Sequence, residues 1–130
     1  MRNPFKTGDI KTFEHLVTEA DSAGFESGRV HSVYSTFSLA RDAEWSGRLF
    51  VLEMKEADEE GIGTGINIKH LSPALIGQKV VFTATLTAVN KNEVVNNFTA
   101  KVGDRLIAEG TQWQKIVKRE KLDSLFASLG

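Results

Sequence analysis

The sequence lacks cysteine altogether, and its 130 residues include only two prolines. Without cysteine the chain has no disulfide framework, no thiolate zinc site, no iron–sulfur ligation and no cysteine nucleophile. The formal net charge at pH 7 is -1, because 16 basic residues nearly balance 17 acidic ones. Because the chain has no excess of positive charge, it is not expected to bind nucleic acid.

Long apolar runs are also missing. No stretch of about 18 apolar residues occurs, so no membrane-spanning helix is predicted. The N-terminus, MRNPFKTGDIKTFEH, lacks the apolar segment of about 7–15 residues that a secretory signal peptide carries. The length is that of one ordinary domain. We therefore expect a single domain over residues 1–130, in a cytoplasmic protein without a membrane partner.

Residues 33–54 contain no proline and are rich in alanine, leucine, glutamate and arginine. This composition predicts one long helix, with Ser32 or Ser35 as its N-cap. Apolar residues recur at spacings of three and four, which predicts a buried stripe along one face. The stripe consists of Phe37, Leu39, Ala40, Ala43, Gly47, Phe50, Val51 and Met54.

From Gly61 onward the apolar period changes to two, which is typical of strands. Shorter patterns at the two ends predict one further strand before the helix and a short helix at the C-terminus. The predicted strands are 13–17, 61–70, 80–89, 94–102 and 106–117, and the terminal helix is 119–128.

These elements predict an α+β fold. One amphipathic helix would cover the apolar face of antiparallel strands joined by hairpins. An antiparallel sheet wrapped around one long central helix is the hotdog fold. Its sheet edges usually meet in a dimer, which removes exposed edges. We therefore expect a homodimer, or a tetramer built from dimers, with an edge strand such as 80–89 as a pairing surface.

The three histidines differ in their predicted surroundings. His70 is in phase with Ile66 and Ile68, on the strand face that should meet the helix. A polar group there needs a partner, which is either a backbone carbonyl or a functional group. His15 in the first strand and His31 in a predicted loop are interpreted as surface polar residues.

The predicted helix carries candidate polar groups at its start and on its stripe. Helical rotation places Glu44 beside Ala40 and Gly47, where its carboxylate would be desolvated. It would then either pair with Arg41 or Arg48 at helix-neighbour spacing, or carry out chemistry. Ser35 and Thr36 begin the helix, where hydroxyls usually cap but also hold substrate oxygens. No ligand spacing for a metal ion is present.

These residues resemble the fluoroacetyl-CoA thioesterase-like group of hotdog proteins. The resemblance lies in VTEADSAGFESGRVHSVYSTFSLARDAEW, GIGTGINIKHLSPALIGQKV and AEGTQWQKIV, and covers about residues 13–118. The motif of that group is Thr, seven residues, Glu, twenty-five residues, His, which Thr36, Glu44 and His70 match. Counting instead from Gly28 places the hydroxyl at Ser35, which remains a rival.

The resemblance implies hydrolysis of a small acyl-CoA thioester, with CoA as part of the substrate and no separate cofactor. It implies that Glu44 attacks the carbonyl or activates water, that His70 is the general base or acid, and that Thr36 orients Glu44 or binds the carbonyl oxygen. The alternative is a hotdog protein that binds acyl-CoA or another small ligand without catalysis. Substrate contacts are expected at Ser35, Gly63, Thr64, Lys69, Gly110 and Thr111.

Overall fold

The computed structural model describes residues 1–25 and 28–130, with side chains except those of residues 23–31. The predicted strands and both predicted helices are present within these residues, and a short hairpin, β2–β3, precedes the long helix. The elements are β1 (Ile10–Leu16), a 3₁₀ turn (Glu19–Asp21), β2 (Ser22–Phe25), β3 (Gly28–Tyr34), α1 (Thr36–Met54), β4 (Glu59–His70), β5 (Lys79–Asn90), β6 (Glu93–Val102), β7 (Arg105–Lys118) and α2 (Arg119–Leu129).

The main sheet has five antiparallel strands in the order β1-β5-β6-β7-β4. Among the described residues its edges are therefore β1 and β4. The expectation that residues 80–89 form an edge is wrong, because β5 lies between β1 and β6. The expectation of a hairpin between β4 and β5 is also wrong, since β4 pairs with β7 on the far side of the sheet.

Hydrogen bonds hold the connection from β4 to β5 against the sheet directly after His70. The backbone N–H groups of Leu71 and Ser72 both donate to the carbonyl of Ile107. The guanidinium of Arg105 donates to the Ser72 hydroxyl at 2.5 Å and to the Pro73 carbonyl. These bonds direct the chain away from a tight hairpin and hold the backbone beside His70 in place.

Helix α1 begins three residues later than the sequence pattern predicts. Tyr34 donates its N–H to the Ala74 carbonyl at 2.8 Å, and Val33 bridges to Leu75, so this backbone is extended. The helix then starts at Thr36 with Ser35 as N-cap. His31, predicted to lie in a loop, falls within β3.

The predicted stripe of α1 packs on the concave side of the sheet, apart from its first member. Leu39, Ala43 and Phe50 are fully buried, but Phe37 is 83% exposed. Phe37 is two residues from Leu39, which is about 200° of helical rotation, so it faces away from the sheet. The apolar core contains two clusters, one around Leu39 and Ala43 and one around Phe50 and Met54. The sheet around one long helix confirms the predicted α+β hotdog fold.

Candidate functional site

Thr36 and His70 meet where the start of α1 approaches the end of β4. The Thr36 Oγ1 lies 3.0 Å from His70 Nδ1, which is a hydrogen bond between the two side chains. His70 is on the helix side of β4, as its strand phase predicts. With Leu71, Ser72 and Pro73 the pair lines an open surface pocket of about 370 Å³.

The second ring nitrogen of His70 faces inward. His70 Nε2 is buried and has no hydrogen-bond partner among the described residues. Burial lowers the pKa of His70 below its ordinary value, and a backbone contact with Ser72 opposes this only in part. The imidazole is therefore neutral at pH 7, so one of its nitrogens can accept a proton.

Ser35, the rival hydroxyl, has a structural task in this arrangement. Its Oγ accepts a hydrogen bond of 3.0 Å from the backbone N–H of Ser38, which makes it a side-chain N-cap. Caps of this kind satisfy one of the free N–H groups in the first helical turn. Of the two neighbouring hydroxyls, Thr36 is the one that contacts His70.

Glu44 lies at a second place on the same helix, against β4. A Cβ added to Gly63 would lie 2.0 Å from Glu44 Oε1, so the carboxylate occupies the space that the glycine leaves free. The predicted burial of Glu44 is wrong, because the residue is exposed. It directly follows the buried Ala43, and one residue is about 100° of rotation, which turns Glu44 to the rim of the stripe.

The expected ion pair of Glu44 with Arg41 or Arg48 is not present. Arg41 bonds to the carboxylates of Asp21 and Asp42. Arg48 donates to the backbone carbonyl of Gly61 at 2.8 Å. Within the described residues the Glu44 carboxylate has neither a hydrogen bond nor a salt bridge. It lines a largely apolar cleft of about 480 Å³ with Phe13, Arg41, Asp42, Trp45 and Arg48.

Within one chain the three motif residues thus form two separate groups. Thr36 and Glu44 are eight helical residues apart, which corresponds to about 12 Å along the axis. His70 and Gly63, where Glu44 lies, pair with β7 residues that are six positions apart, and this separation is about 20 Å. One copy of the chain therefore brings Thr36 to His70 and leaves Glu44 at a distance.

The remaining expected substrate contacts lie elsewhere. Thr64 is exposed on the outer edge strand, next to Gly63. Lys69 and Thr111 line a groove of about 400 Å³ that also includes Gly110. Lys69 alternates with His70 along β4, so it points to the opposite face of the sheet. The pairing of strands explains Gly110, because a Cβ there would lie 2.0 Å from the Asn67 carbonyl oxygen.

A partly buried ionic network near the start of α1 was not anticipated from the sequence. His15 Nε2 lies 2.8 Å from the Asp21 carboxylate and 3.5 Å from that of Asp42. The Tyr34 hydroxyl donates to Asp42, and Arg41 bonds to both carboxylates. The interpretation of His15 as surface is wrong, since it ties β1 to α1. His15, Asp21 and Asp42 could together hold a metal ion, but their oxygens already have partners within this network.

The network also shifts the pKa values of two of its members, Asp21 and Tyr34. Burial raises the pKa of Asp21, yet hydrogen bonds from the Thr18 backbone, His15 and Arg41 outweigh it and lower that pKa to about 2. Burial, together with the Asp42 carboxylate, raises the pKa of Tyr34 far above its ordinary value. The one signal of this network in the sequence is Thr18 followed three residues later by Asp21, a spacing typical of a capping box, and the two residues form one.

No helix in the described ranges, 1–25 and 28–130, is both long and apolar enough to cross a membrane.

Comparison with known proteins identifies the family. The model of the fluoroacetyl-CoA-specific thioesterase family matches residues 17–120. A solved structure of a Thermus thermophilus hypothetical protein, described as a thioesterase superfamily member, is 34% identical, with a TM-score of 0.92 over 97% of this chain and 93% of that chain. The search of curated proteins found no match.

Two structures of the fluoroacetyl-CoA thioesterase itself are similar in fold. One is 20% identical with a TM-score of 0.89, covering 97% of this chain and 98% of that chain. The other, a variant in complex with acetyl-CoA, is 19% identical with a TM-score of 0.86, covering 95% and 98%. With four-fifths of its length matched by the family model, this chain belongs to the fluoroacetyl-CoA-specific thioesterase family, within the thioesterase superfamily.

Proposed function

We propose that the protein hydrolyses a small acyl-CoA thioester at a site built from two copies of the chain. Thr36 and His70 come from one protomer and Glu44 from its partner. Family membership supports thioester hydrolysis, as does the solved complex of a variant of the similar fluoroacetyl-CoA thioesterase with acetyl-CoA. Fluoroacetate itself is not part of this proposal.

The exposed edge of β4 is the surface for pairing. The five consecutive residues Gly63 to Asn67 are all exposed, and they lie on the outermost strand of the sheet. Ile66, a large apolar side chain, is 41% exposed there. An unpaired strand edge with an apolar side chain tends to pair with another strand, and a second copy completes the sheet.

Symmetry then brings the two groups of motif residues together. In an antiparallel pair of identical strands, residues lie symmetrically on either side of the two-fold axis. An axis at Asn67, within the exposed segment, pairs Ile68 of one protomer with Ile66 of the other, so that residues of the same face lie opposite each other. Because the bulge between Gly63 and Gly65 holds one extra residue, this axis places His70 of one protomer opposite Gly63 of the other. Because Glu44 packs on Gly63, the partner's Glu44 would lie beside His70 and Thr36.

The chemistry assigns a task to each group. Water adds to the thioester carbonyl carbon, the carbon–sulfur bond breaks, and the CoA sulfur leaves and takes a proton. The partner's Glu44 carboxylate, which has no ion pair among the described residues, attacks the carbonyl or activates the water. Neutral His70 accepts a proton in one step and delivers it to sulfur in the next. Thr36 fixes the imidazole through Nδ1, so that Nε2 faces the reacting atoms.

The observation that carries the proposal is the state of His70. Its Nδ1 is held by Thr36, while its Nε2 is buried without a partner among the described residues. A buried nitrogen without a partner is rare in a folded protein. A reacting group at this position would satisfy it.

The test is a hydrolysis assay with short, branched and aromatic acyl-CoA esters, in which a thiol-reactive dye detects free CoA. We expect turnover of at least one ester, and a loss of about a hundredfold or more in His70→Asn. Light scattering is expected to show a dimer at micromolar concentration. Acyl-CoA binding without turnover of any ester would support the non-catalytic alternative instead.

A further inference from the structure

Three amide side chains lie in the interior between α1 and the sheet. Asn96 and Gln112 are 0% exposed and Gln114 is 1% exposed. Asn96 on β6 pairs across to Gln112 on β7. We call these three residues the amide layer, because they separate the two apolar clusters of the core. Along β6, for example, Phe98 belongs to one cluster and Val94 to the other.

The hydrogen bonds of the amide layer have a defined direction. The Nε2 of Gln112 donates to the Ala43 carbonyl at 2.7 Å, so its Oε1 is the end that accepts from Gln114 Nε2, also at 2.7 Å. Gln114 Nε2 further donates to the Glu44 carbonyl at 3.2 Å. This order leaves Gln114 Oε1 as an acceptor that no described residue fills.

The side chain of Asn96 lies at the other end of the layer. Both its Nδ2 and its Oδ1 are buried without a partner among the described residues. Buried polar atoms nearly always have a partner, since leaving one unsatisfied forfeits its hydration. The layer therefore offers one donor and two acceptors to a polar group within the core.

The amide layer begins next to the proposed catalytic carboxylate. Gln114 pairs directly with Gly63, the glycine on which Glu44 packs. Gly63 has no side chain to separate Glu44 from this part of β7. Asn96 lies two strands inward from β4, a distance of about 10 Å. Seen from Glu44, Gln114 is thus the nearer of the two amides and Asn96 the farther.

We propose that Asn96 and Gln114 bind a hydroxyl group carried by the acyl chain of the substrate. This inference rests on the proposed thioesterase function and names its substrate class, a short hydroxyacyl-CoA. The hydroxyl oxygen accepts from Asn96 Nδ2, and its proton goes to Gln114 Oε1 or Asn96 Oδ1. Glu44 and His70 act on the thioester carbonyl at the outer end.

A hydroxyl group can form hydrogen bonds with the unpartnered atoms of Asn96 and Gln114, whereas a hydrocarbon cannot. It supplies both an acceptor and a donor, whereas a methyl group in the same place would leave all three amide atoms unsatisfied. Sites built to bond a substrate hydroxyl discriminate strongly against analogues that lack it, because their own polar atoms then stay unpaired. The amide layer therefore predicts selectivity for a polar acyl chain.

The experiment compares acyl-CoA esters of equal size that differ only by methyl and hydroxyl. The pairs are propionyl with hydroxyacetyl, butyryl with 3-hydroxypropionyl, and valeryl with 4-hydroxybutyryl. For at least one pair we expect kcat/KM to favour the hydroxyl ester by about tenfold or more. The chain length at which the preference is largest reports how deep the hydroxyl lies.

Asn96→Leu is the variant that removes the hydroxyl site. Leucine has nearly the shape of asparagine, and replacing unsatisfied buried amide atoms by apolar ones should preserve or raise the melting temperature. The tenfold preference should fall to about onefold or reverse. Asn97→Leu is the matched control on the opposite face of the same strand, where Asn97 is exposed. It should retain the preference.

The outcomes separate this inference from the proposed function. Turnover of methyl and hydroxyl esters at equal rates, unchanged in Asn96→Leu, would overturn the hydroxyl site and leave the thioesterase standing. The same rates with a lower melting temperature in Asn96→Leu would mean that the layer holds only ordered water, and would also overturn the hydroxyl site. No turnover of any ester would remove both proposals.

Discussion

Thr36 and His70 are joined by a hydrogen bond within one chain. Glu44, two turns further along α1, lies over Gly63, and its carboxylate has no bond to any residue that the structure describes. The first pair is formed by the fold itself, since the cap at Ser35 and the fastened link after His70 fix both elements. At the second place, the carboxylate of Glu44 lies over Gly63 on the exposed edge strand. One chain thus forms only half of the proposed site, and the other half lies on the strand edge where we propose that a second copy binds.

The largest expected effect comes from removing one half of the proposed site in each of two variants and then mixing the variants. Glu44→Gln and His70→Asn should each lower kcat by about a hundredfold or more. If the halves meet across a dimer, an equal mixture of the two variants forms mixed dimers with one intact site. After subunit exchange, activity should return to about a quarter of the wild-type value.

The control for this mixture is each variant incubated alone under the same exchange conditions, which should stay inactive. Mixed dimers that form without any return of activity would show that Glu44 and His70 of the same chain act together. That result would contradict the two-fold axis at Asn67.

Thr36→Val examines the preformed half. Valine keeps the shape of threonine and a similar helix propensity but loses the hydrogen bond to His70 Nδ1. Such a bond contributes about 1 kcal/mol, so kcat should fall roughly five- to tenfold while the melting temperature stays unchanged. Thr36→Ser retains a hydroxyl and should retain most of the rate. Full activity in Thr36→Val would mean that the pair is structural only.

The pKa of His70 reports whether the two halves are close. In one chain, burial lowers this pKa, but a carboxylate nearby raises it by favouring the charged imidazolium. If the partner's Glu44 lies beside His70, the Glu44→Gln dimer should have a lower His70 pKa than the wild-type dimer. Titration of the imidazole by NMR measures both. Identical values would place Glu44 too far away to act with His70.

The depressed pKa also has a consequence for stability. Because the folded state prefers neutral His70, the unfolded state binds more protons between the folded and the ordinary pKa. Stability should therefore be full above the ordinary pKa and decline as the pH falls below it. His70→Asn should remove this part of the decline in denaturant titrations between pH 7 and pH 5.

Local patterns in the sequence predict the faces of single elements well. The alternation Ile66, Ile68, His70 correctly predicts that His70 lies on the helix side, because a strand permits only two faces. The same reasoning placed Glu44 and Phe37 wrongly. On a helix, a step of one or two residues decides whether a side chain lies on the buried stripe, at its rim or in solvent. The existence of the long helix and the sheet could be predicted for the same local reason.

Pairings between distant residues could not be predicted in this way. The place of β4 at the sheet edge depends on its pairing with β7, some fifty residues later. The network of His15, Asp21 and Asp42 depends on three elements meeting. No local period encodes such contacts. For the same reason the sequence joined Thr36, Glu44 and His70 in one motif but did not show that a single chain separates them.

The smallest expected effect distinguishes the two neighbouring hydroxyls that the sequence left as rivals. Ser35 Oγ accepts from the Ser38 N–H and does not contact His70. Ser35→Ala should therefore cost about 1 kcal/mol of stability, lowering the melting temperature by roughly 3–5 °C, while kcat stays within about twofold of wild type. Ser35→Asp, which is also a good N-cap, should restore the melting temperature. If Ser35→Ala instead lost activity at an unchanged melting temperature, as expected for Thr36→Val, then Ser35 would be the hydroxyl of the site and the hydrogen bond between Thr36 and His70 would not be the one that matters.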